Sequence, residues 1–195
     1  MGVCIRTGIN LVLDFPSIFW KQLIGSNPNL DDIFQIEYRF FKKINGILNA
    51  TEAEFSSDDA VYYWTVTLAD GKELDLTSDG TGKDRQVKYS ERHDYVQRCI
   101  YTKLTESSVQ CAAIRRGLVK IIPESMLNQI SFEEMESWVC GDKFIDIDLV
   151  RRNTKLVGYT VDDEVIKNFW EIFESLTQPD RRRFIKFCYA IERLP

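Results

Sequence analysis

The sequence is poor in the side chains that bind metals and form disulfide frameworks. It has a single histidine and five cysteines, none of them in a Cys-x-x-Cys pair: Cys4, Cys99, Cys111, Cys140 and Cys188. An odd number of widely spaced cysteines beside one histidine predicts neither a zinc site nor a disulfide framework. We therefore expect no metal and no cofactor, and a reducing compartment such as the cytoplasm or the nucleus.

Long apolar runs and an excess of positive charge are also missing. No stretch approaches the length of a membrane span, and the N-terminus lacks the basic and apolar regions of a signal peptide. The formal net charge is -5, and the arginine runs at 115–116, 151–152 and 181–183 are short and balanced by nearby acids. Such runs are typical of solvated helix faces. We expect neither a membrane nor a nucleic acid as a partner.

What the chain does have is the composition of an ordinary globular domain, with 44% hydrophobic and 28% charged residues. Apolar periodicity, prolines in first turns and following glycines predict mostly helices. Their expected positions are 16–24, 30–36, 37–48, 91–104, 107–119, 124–128, 132–139, 161–176 and 179–190. In the predicted helix at 37–48, we expect Tyr38, Phe41, Ile44 and Leu48 to share one face. Thr160 is expected to cap the helix at 161–176.

A small β-unit is expected among these helices. Residues 61–68 are aromatic and β-branched, Asp70-Gly71 suits a hairpin turn, and short strands are expected at 72–76 and 85–89. The preceding residues, 49–60, are acidic and aperiodic, which favours an exposed loop. The fold class predicted from these patterns is α+β and mainly helical.

Two further expectations concern buried side chains. In the helix at 161–176, one broad apolar stripe is formed by Val165, Ile166, Phe169, Trp170, Phe173 and Leu176, with Phe169 and Trp170 expected at the centre of a core. Cys140 and Cys188 occupy apolar helical positions and are expected to be buried thiols. His93 and Cys99 are six residues apart on a helix, so they point to different sides and cannot pair. We find no catalytic residue in the chain.

The C-terminal part of the chain carries an ordered pattern that resembles a known family. The pattern is Cys140-Gly141, Ile145-Asp146-Ile147-Asp148, Thr154, Gly158-Tyr159, Val165-Ile166, Phe169-Trp170, Arg182, Phe184, Phe187 and Arg193-Leu194-Pro195. It resembles the end of the N-terminal lobe of HECT-type ubiquitin ligases. The sequence around Phe19-Trp20 is similar to that of the large family members with chromosome-condensation-regulator repeats. One departure is Tyr189-Ala190-Ile191-Glu192, where the family has a Thr-Gly-x-Ser-like stretch.

The resemblance implies a HECT N-lobe, with a helical body at about 1–36 and 104–195 and a small docking subdomain at about 37–103. In the family this subdomain receives an aromatic side chain of a ubiquitin-conjugating enzyme (E2) in a hydrophobic groove. By position, the groove residues are Phe41, Ile44, Tyr62, Trp64, Tyr95 and Cys99. Tyr62 and Trp64 should lie on one side of their strand and Tyr63 on the other. The alternative is that these rings fill the subdomain's own core.

The resemblance also implies an activity for the intact protein. It would transfer ubiquitin from the E2 to a cysteine in a C-terminal lobe and then to a substrate lysine, with the substrate bound by regions outside this chain. Because the chain stops at Pro195, we expect the C-lobe to be absent and the chain to be inactive alone. The competing hypothesis is a HECT-like interaction module that is not catalytic.

Overall fold

The computed structural model describes residues 1–11, 13–56, 61–190 and 192–194. The elements follow in the order α1 (Gly2–Thr7), α2 (Ser17–Ile24), α3 (Leu30–Ile36), α4 (Tyr38–Asn49), α5 (Glu52–Phe55), β1 (Thr65–Thr67), β2 (Glu73–Asp75), a 3-10 turn (Tyr89–Glu91), α6 (Arg92–Thr105), α7 (Ser108–Leu118), α8 (Glu124–Leu127), α9 (Phe132–Cys140), α10 (Ile147–Asn153), α11 (Glu164–Ser175) and α12 (Gln178–Tyr189). The fold is mainly helical with one small sheet, which confirms the predicted class. In the part of the chain that the structure describes, no helix combines the length and apolarity needed to cross a membrane.

The chain divides into two compact units. Residues 15–132 form what we name the central unit, and residues 1–14 with 133–195 form the terminal unit. The central unit is therefore continuous in sequence, whereas the terminal unit joins the two ends of the chain. The finer division predicted above, with a docking subdomain at about 37–103, stays a prediction.

Local sequence signals set most helix boundaries. Helix α2 begins after Pro16 and ends at Gly25, which adopts a positive φ of 84°. Helix α3 begins at a reciprocal cap, because the Asn29 side chain accepts from the N–H groups of Asp31 and Asp32 while the Asp32 carboxylate accepts from the Asn29 N–H. Such caps satisfy amide groups that have no partner within the helix. The bounds of α3 match the predicted range.

Four helices differ from expectation. Residues 52–55 form α5 in a region predicted as a loop, because Thr51 and Glu54 make a capping box and Phe55 is buried. Helix α11 begins after Asp163, which occupies the N-cap position while its carboxylate accepts from the Thr160 N–H at 2.7 Å, so the predicted cap at Thr160 was wrong. Helices α1 and α10 were not anticipated. Of the predicted loop, residues 57–60 lie outside the described residues.

The β-hairpin forms where it was predicted but is short. Strands β1 and β2 pair antiparallel with Val66 opposite Leu74, and the turn is closed by the Leu68 N–H donating to the Lys72 carbonyl at 2.8 Å. Gly71 in that turn has a φ of 82°, a conformation that favours glycine. The expected third strand is reduced to one bridge between Tyr63 and Gln86.

The terminal unit has its core around α11 and α12, and only one edge of the predicted stripe enters it. Phe173 is 2% exposed and packs on Phe184 at a ring distance of 5.3 Å. Val165 is 54% and Phe169 37% exposed, and Trp170 is half-buried. The expectation that Phe169 and Trp170 lie at the centre was therefore wrong, because the helix buries a narrower face than its apolar residues cover.

Candidate functional site

Four of the six predicted groove residues form part of a buried core in the central unit. Ile44, Trp64, Tyr95 and Cys99 are 1%, 3%, 3% and 2% exposed. Helix α4 supplies the isoleucine, the segment before β1 the tryptophan, and α6 the tyrosine and cysteine at i and i+4, which places both on one helix face. These residues belong to a single hydrophobic cluster. They are therefore the floor of any groove at this place rather than its accessible surface.

The Trp64 side chain is held from several directions. Its ring meets Tyr95 edge to face at 5.7 Å, and the guanidinium groups of Arg85 and Arg98 lie 5.0 and 5.4 Å from its centre. Its carbonyl oxygen accepts from the Leu76 N–H at 2.8 Å. Contacts on ring edge and ring face together restrict the indole to one orientation. The buried position of Trp64 is consistent with the alternative stated above, in which these rings fill the core of the subdomain.

Tyr62 is the accessible member of this aromatic group. It is half-buried, and its ring packs against Phe55 at 5.3 Å and Tyr95 at 6.4 Å. The Lys43 ammonium lies 5.7 Å from the Tyr62 ring centre. Tyr63, the next residue, is 44% exposed, which agrees with the predicted alternation of sides along this segment. The structure thus combines an aromatic floor with one aromatic side chain at its border.

Phe41 belongs to a second aromatic group, at the junction of α3 and α4. Its ring packs edge to face on Phe34 at 5.0 Å, and Phe34 meets Tyr38 at 5.5 Å. Phe34 is 45% and Tyr38 58% exposed. Of the residues predicted to share one face of α4, Ile44 is buried together with Ile47, whereas Tyr38 is exposed. Phe34, Tyr38 and Phe41 are four and three residues apart in sequence. This spacing could have predicted that their rings lie together.

The three buried thiols show no sign of activation. Burial raises the pKa of Cys99, Cys111 and Cys140, and a useful nucleophile needs a lowered pKa. The Cys140 Sγ donates to the Leu13 carbonyl at 3.6 Å. Cys188 is exposed, so its predicted burial was wrong, since only the opposite side of α12 faces the core.

The carboxylates of Asp75 and Asp79 accept hydrogen bonds from residues of their own loop. Asp75 accepts from the N–H groups of Thr77 and Gly82, and Asp79 accepts from Thr81. These are local loop contacts of a common kind. Among the described residues, no group of three or more histidines, cysteines and carboxylates is placed to hold a metal ion.

The motif residues of the terminal unit meet in one bonded cluster. Asp142 and Leu194 exchange backbone hydrogen bonds of 3.0 and 3.2 Å. The Glu136 carboxylate, only 11% exposed, accepts from Arg193 at 2.9 Å and from Lys143 at 2.7 Å. Gly141, which directly precedes Asp142, has a φ of 80°. The Cys-Gly and Arg-x-Pro parts of the pattern, some fifty residues apart in sequence, are thus two sides of one contact.

Ala190 adopts a conformation that usually belongs to glycine. Its φ is 61° at the end of α12, and no other described residue except glycine has a positive φ. A left-handed residue commonly ends a helix, and a Cβ atom there introduces strain. Ala190 stands at the position where the related pattern has glycine.

The mainly helical fold and the bonded C-terminal motif can now be set beside the comparison with known protein families. The model of the HECT-domain (ubiquitin-transferase) family matches residues 1–195. The chain belongs to this family, which confirms the resemblance.

Its relatives include human E3 ubiquitin-protein ligase HERC2, 30% identical over 197 residues that cover 100% of this chain and 4% of the relative. Human HECTD4, a probable E3 ubiquitin-protein ligase, is 29% identical over 218 residues, covering 100% of this chain and 5% of the relative. RSP5 of Chaetomium thermophilum, an E3 ubiquitin-protein ligase, is 25% identical over 188 residues, covering 93% of this chain and 22% of the relative. The chain therefore spans only a small part of each of these relatives.

Proposed function

We propose that this chain is the E2-docking N-lobe of a HECT E3 ubiquitin ligase. The intact protein would take ubiquitin from a conjugating enzyme onto a C-lobe cysteine and pass it to a substrate lysine. Substrate selection would fall to regions outside these residues. The observation that carries the proposal is the family match over residues 1–195.

The central unit supports the docking role. The buried residues of its hydrophobic cluster extend from Ile44 to Cys99, all within the proposed docking subdomain at about 37–103. A cluster with its own buried core can act as a semi-independent binding module. Helices and loops outside this range, at about 1–36 and 104–195, would form the supporting body.

Within the predicted groove, Tyr62 and Phe41 are the two residues that a partner can reach. Both are half-buried, whereas Ile44, Trp64 and Cys99 are buried beneath the surface. An inserted aromatic side chain of the E2 would stack beside Tyr62, over the floor supplied by the buried rings. Partly buried aromatic residues surrounded by a packed core are frequent anchors in protein interfaces.

The chemistry of the chain suits a docking half rather than a transferring half. Burial raises the pKa of three of its five thiols, and the transfer step needs an activated thiolate. The five free cysteines also suit a reducing compartment, and we place the protein in the cytoplasm or nucleus.

The test compares neighbouring tyrosines on opposite sides of one segment. The 195-residue chain is titrated with a panel of E2 enzymes, and we expect dissociation constants in roughly the micromolar range of transient complexes. Tyr62→Ala should weaken binding about tenfold or more, as loss of an anchor does. Phe41→Ala should weaken it as well. Tyr63→Ala removes an equally large side chain from the other side and should leave binding unchanged.

Trp64→Ala is a poorer test, because removing a buried indole destabilises the cluster itself. Circular dichroism on each variant separates unfolding from loss of contact. Equal affinity of folded Tyr62→Ala and of the unaltered chain would contradict the groove assignment.

The alternative function, a HECT-like interaction module without catalysis, is tested by the reading frame beyond Pro195. A lobe with a ubiquitin-accepting cysteine there supports the ligase, and a reading frame without one supports the module.

A further inference from the structure

A basic cavity lies in the terminal unit beside α12. Its volume is about 530 Å³, and its lining includes five cationic residues: Lys143, Arg182, Arg183, Lys186 and Arg193. Among the described residues that line it, Asp14 and Glu192 are the acids. The chain as a whole carries a net charge of -5. The cavity is therefore positively charged although the chain as a whole is negative. Two residues of the arginine run at 181–183, which was interpreted above as a solvated helix face, line it.

Arg182 is one of the cationic side chains that line this cavity. Its side chain is half-buried, and within the described ranges no acceptor or carboxylate lies at bonding distance from the guanidinium. Its charge acts on Glu192, whose pKa is lowered mainly by the hydrogen bond from Lys186 and additionally by Arg182 and Arg183. A guanidinium presents a planar fork of donors that fits a carboxylate or a phosphate.

The other two cations of α12 that line the cavity, Lys186 and Arg183, make exposed ion pairs. Lys186 contacts Glu192 at 2.6 Å, with the two side chains 59% and 50% exposed. Arg183 contacts Asp180 at 2.9 Å, with exposures of 78% and 43%. Exposed pairs of this kind contribute little to stability and can exchange one carboxylate for another at low cost. Incoming acidic groups could therefore replace these partners without disturbing the fold.

Exposed aromatic rings adjoin the basic residues on the same helix. Phe187 is 89% and Tyr189 74% exposed. Phe187 follows Arg183 by four residues and Tyr189 follows Lys186 by three, which puts each ring beside a cation on the helix surface. Because Phe187 and Tyr189 are two residues apart, they lie on different sides of the helix, one at each border of the basic residues.

We propose that the basic-aromatic surface of α12, composed of Arg182, Arg183, Lys186, Phe187 and Tyr189, binds an acidic peptide segment that also carries aliphatic or aromatic side chains. Peptide carboxylates pair with Arg182 and replace Glu192 on Lys186. Apolar side chains of the peptide cover the two rings.

The same surface disfavours a compact polyanion such as polyphosphate. Asp14 and Glu192 line the cavity together with the cations. The closely spaced negative charges of a polyphosphate could not all avoid these two carboxylates. A polyphosphate would also leave the rings in water, whereas a peptide can space its carboxylates and place apolar groups between them. This surface lies in the terminal unit and is independent of the proposed E2-docking groove.

The probe is a fluorescein-labelled peptide of about a dozen residues in which Glu alternates with Leu and Phe. Binding to the 195-residue chain is followed by fluorescence anisotropy. Replacing Arg182 and Lys186 together by Gln should weaken binding about tenfold, the effect of losing two close charge contacts. Phe187→Ser with Tyr189→Ser should have a similar effect. The control, Arg39→Gln with Lys42→Gln on the exposed side of α4, removes the same charge elsewhere and should leave binding unchanged.

If the Arg182 variant does not fold, as judged by circular dichroism, Arg183→Gln with Lys186→Gln alters only exposed residues and takes its place. Equal weakening by the α4 control would mean attraction to net charge alone and would overturn the proposal. So would unchanged binding of a peptide with Gln in place of Glu. Tripolyphosphate or a single-stranded oligonucleotide that competes as well as unlabelled peptide would also overturn it, in favour of a general anion site.

Discussion

The substitution Gly141→Ala tests the contact that joins the two parts of the C-terminal motif. A Cβ atom at Gly141 would overlap the Leu194 carbonyl oxygen and would lie 2.6 Å from the Asn10 Nδ2. The overlapped oxygen is the acceptor of the Asp142 N–H. The alanine would also have to adopt a φ of 80°. Backbone atoms cannot move aside as a flexible side chain can, so the segment at 193–194 must shift.

The expected cost has two parts. The left-handed conformation costs an alanine roughly 1 to 2 kcal/mol. Loss of the paired backbone hydrogen bonds between Asp142 and Leu194 adds about 1 kcal/mol each. We expect Gly141→Ala to lower the free energy of unfolding by about 3 kcal/mol, or Tm by roughly 6 to 12 °C for a chain of this size. Gly158→Ala is the matched control, because Gly158 has a φ of 77° with open space around its Cβ position. It should show the conformational cost alone.

Equilibrium unfolding in urea, followed by circular dichroism, measures both variants against the unaltered chain. Tryptic cleavage after Arg193 gives a second readout, since that residue is held by Glu136 and shielded in the folded state. Gly141→Ala should be cleaved faster there, and Gly158→Ala should not. Equal stability losses in the two variants would refute the reasoning, because they would show that the crowding at Leu194 has no energetic consequence.

Three further predictions concern single positions. Phe173→Ala should lower the free energy of unfolding by about 3 to 5 kcal/mol, whereas Ile172→Ala, at a side chain that is 62% exposed, should change it by less than about 0.5 kcal/mol; similar losses in urea melts would contradict the placement of the core. Burial raises the pKa of Asp32, but hydrogen bonds from Ser17 and Lys21 outweigh it and the net pKa is lowered, so Asp32→Asn should cost about 3 kcal/mol at neutral pH. Because a lowered pKa stabilises the fold only while the group is ionised, this deficit should shrink as the pH falls below about 4, and a deficit independent of pH in melts across that range would argue against the ion pair. Ala190→Gly should raise stability by about 0.5 to 1 kcal/mol, because relief of the positive φ exceeds the added freedom of the unfolded chain; a shift of the urea midpoint to lower concentration would show that Ala190 is unstrained.

Sequence patterns predicted those elements whose signals are local. Helix α3 was predicted with its full bounds, because the cap at Asn29 and the apolar spacing act within a few residues. Helix α5 was missed since its four residues are too few to show periodicity, although Thr51 and Glu54 carry a capping box. The buried side of α11 could not be predicted in the same way. Apolar residues cover more of that helix than the core does, and only the packing around Phe173 selects the buried side.

The candidate site shows the same limit. Period-two alternation placed Tyr62 and Tyr63 on opposite sides of their segment, as the structure has them. Neither this alternation nor the resemblance to the family could predict which aromatic residues are buried beneath the groove and which lie at its edge. That depends on how deeply α4 and α6 cover the segment. Nor could single-residue patterns show that Phe41 would join Phe34 and Tyr38, since that contact crosses a helix junction.

The division of the chain into a continuous and a discontinuous unit has a consequence for the order of events during synthesis. All of the central unit, residues 15–132, has been made before most of the terminal unit exists. Segments at the start of the chain are tied to late ones, since the Leu11 N–H donates to the Val139 carbonyl at 2.8 Å. Domains fold as units while the ribosome advances. We therefore expect the segment at 1–14 to reach its native packing only after the helices beyond residue 132 have been synthesised.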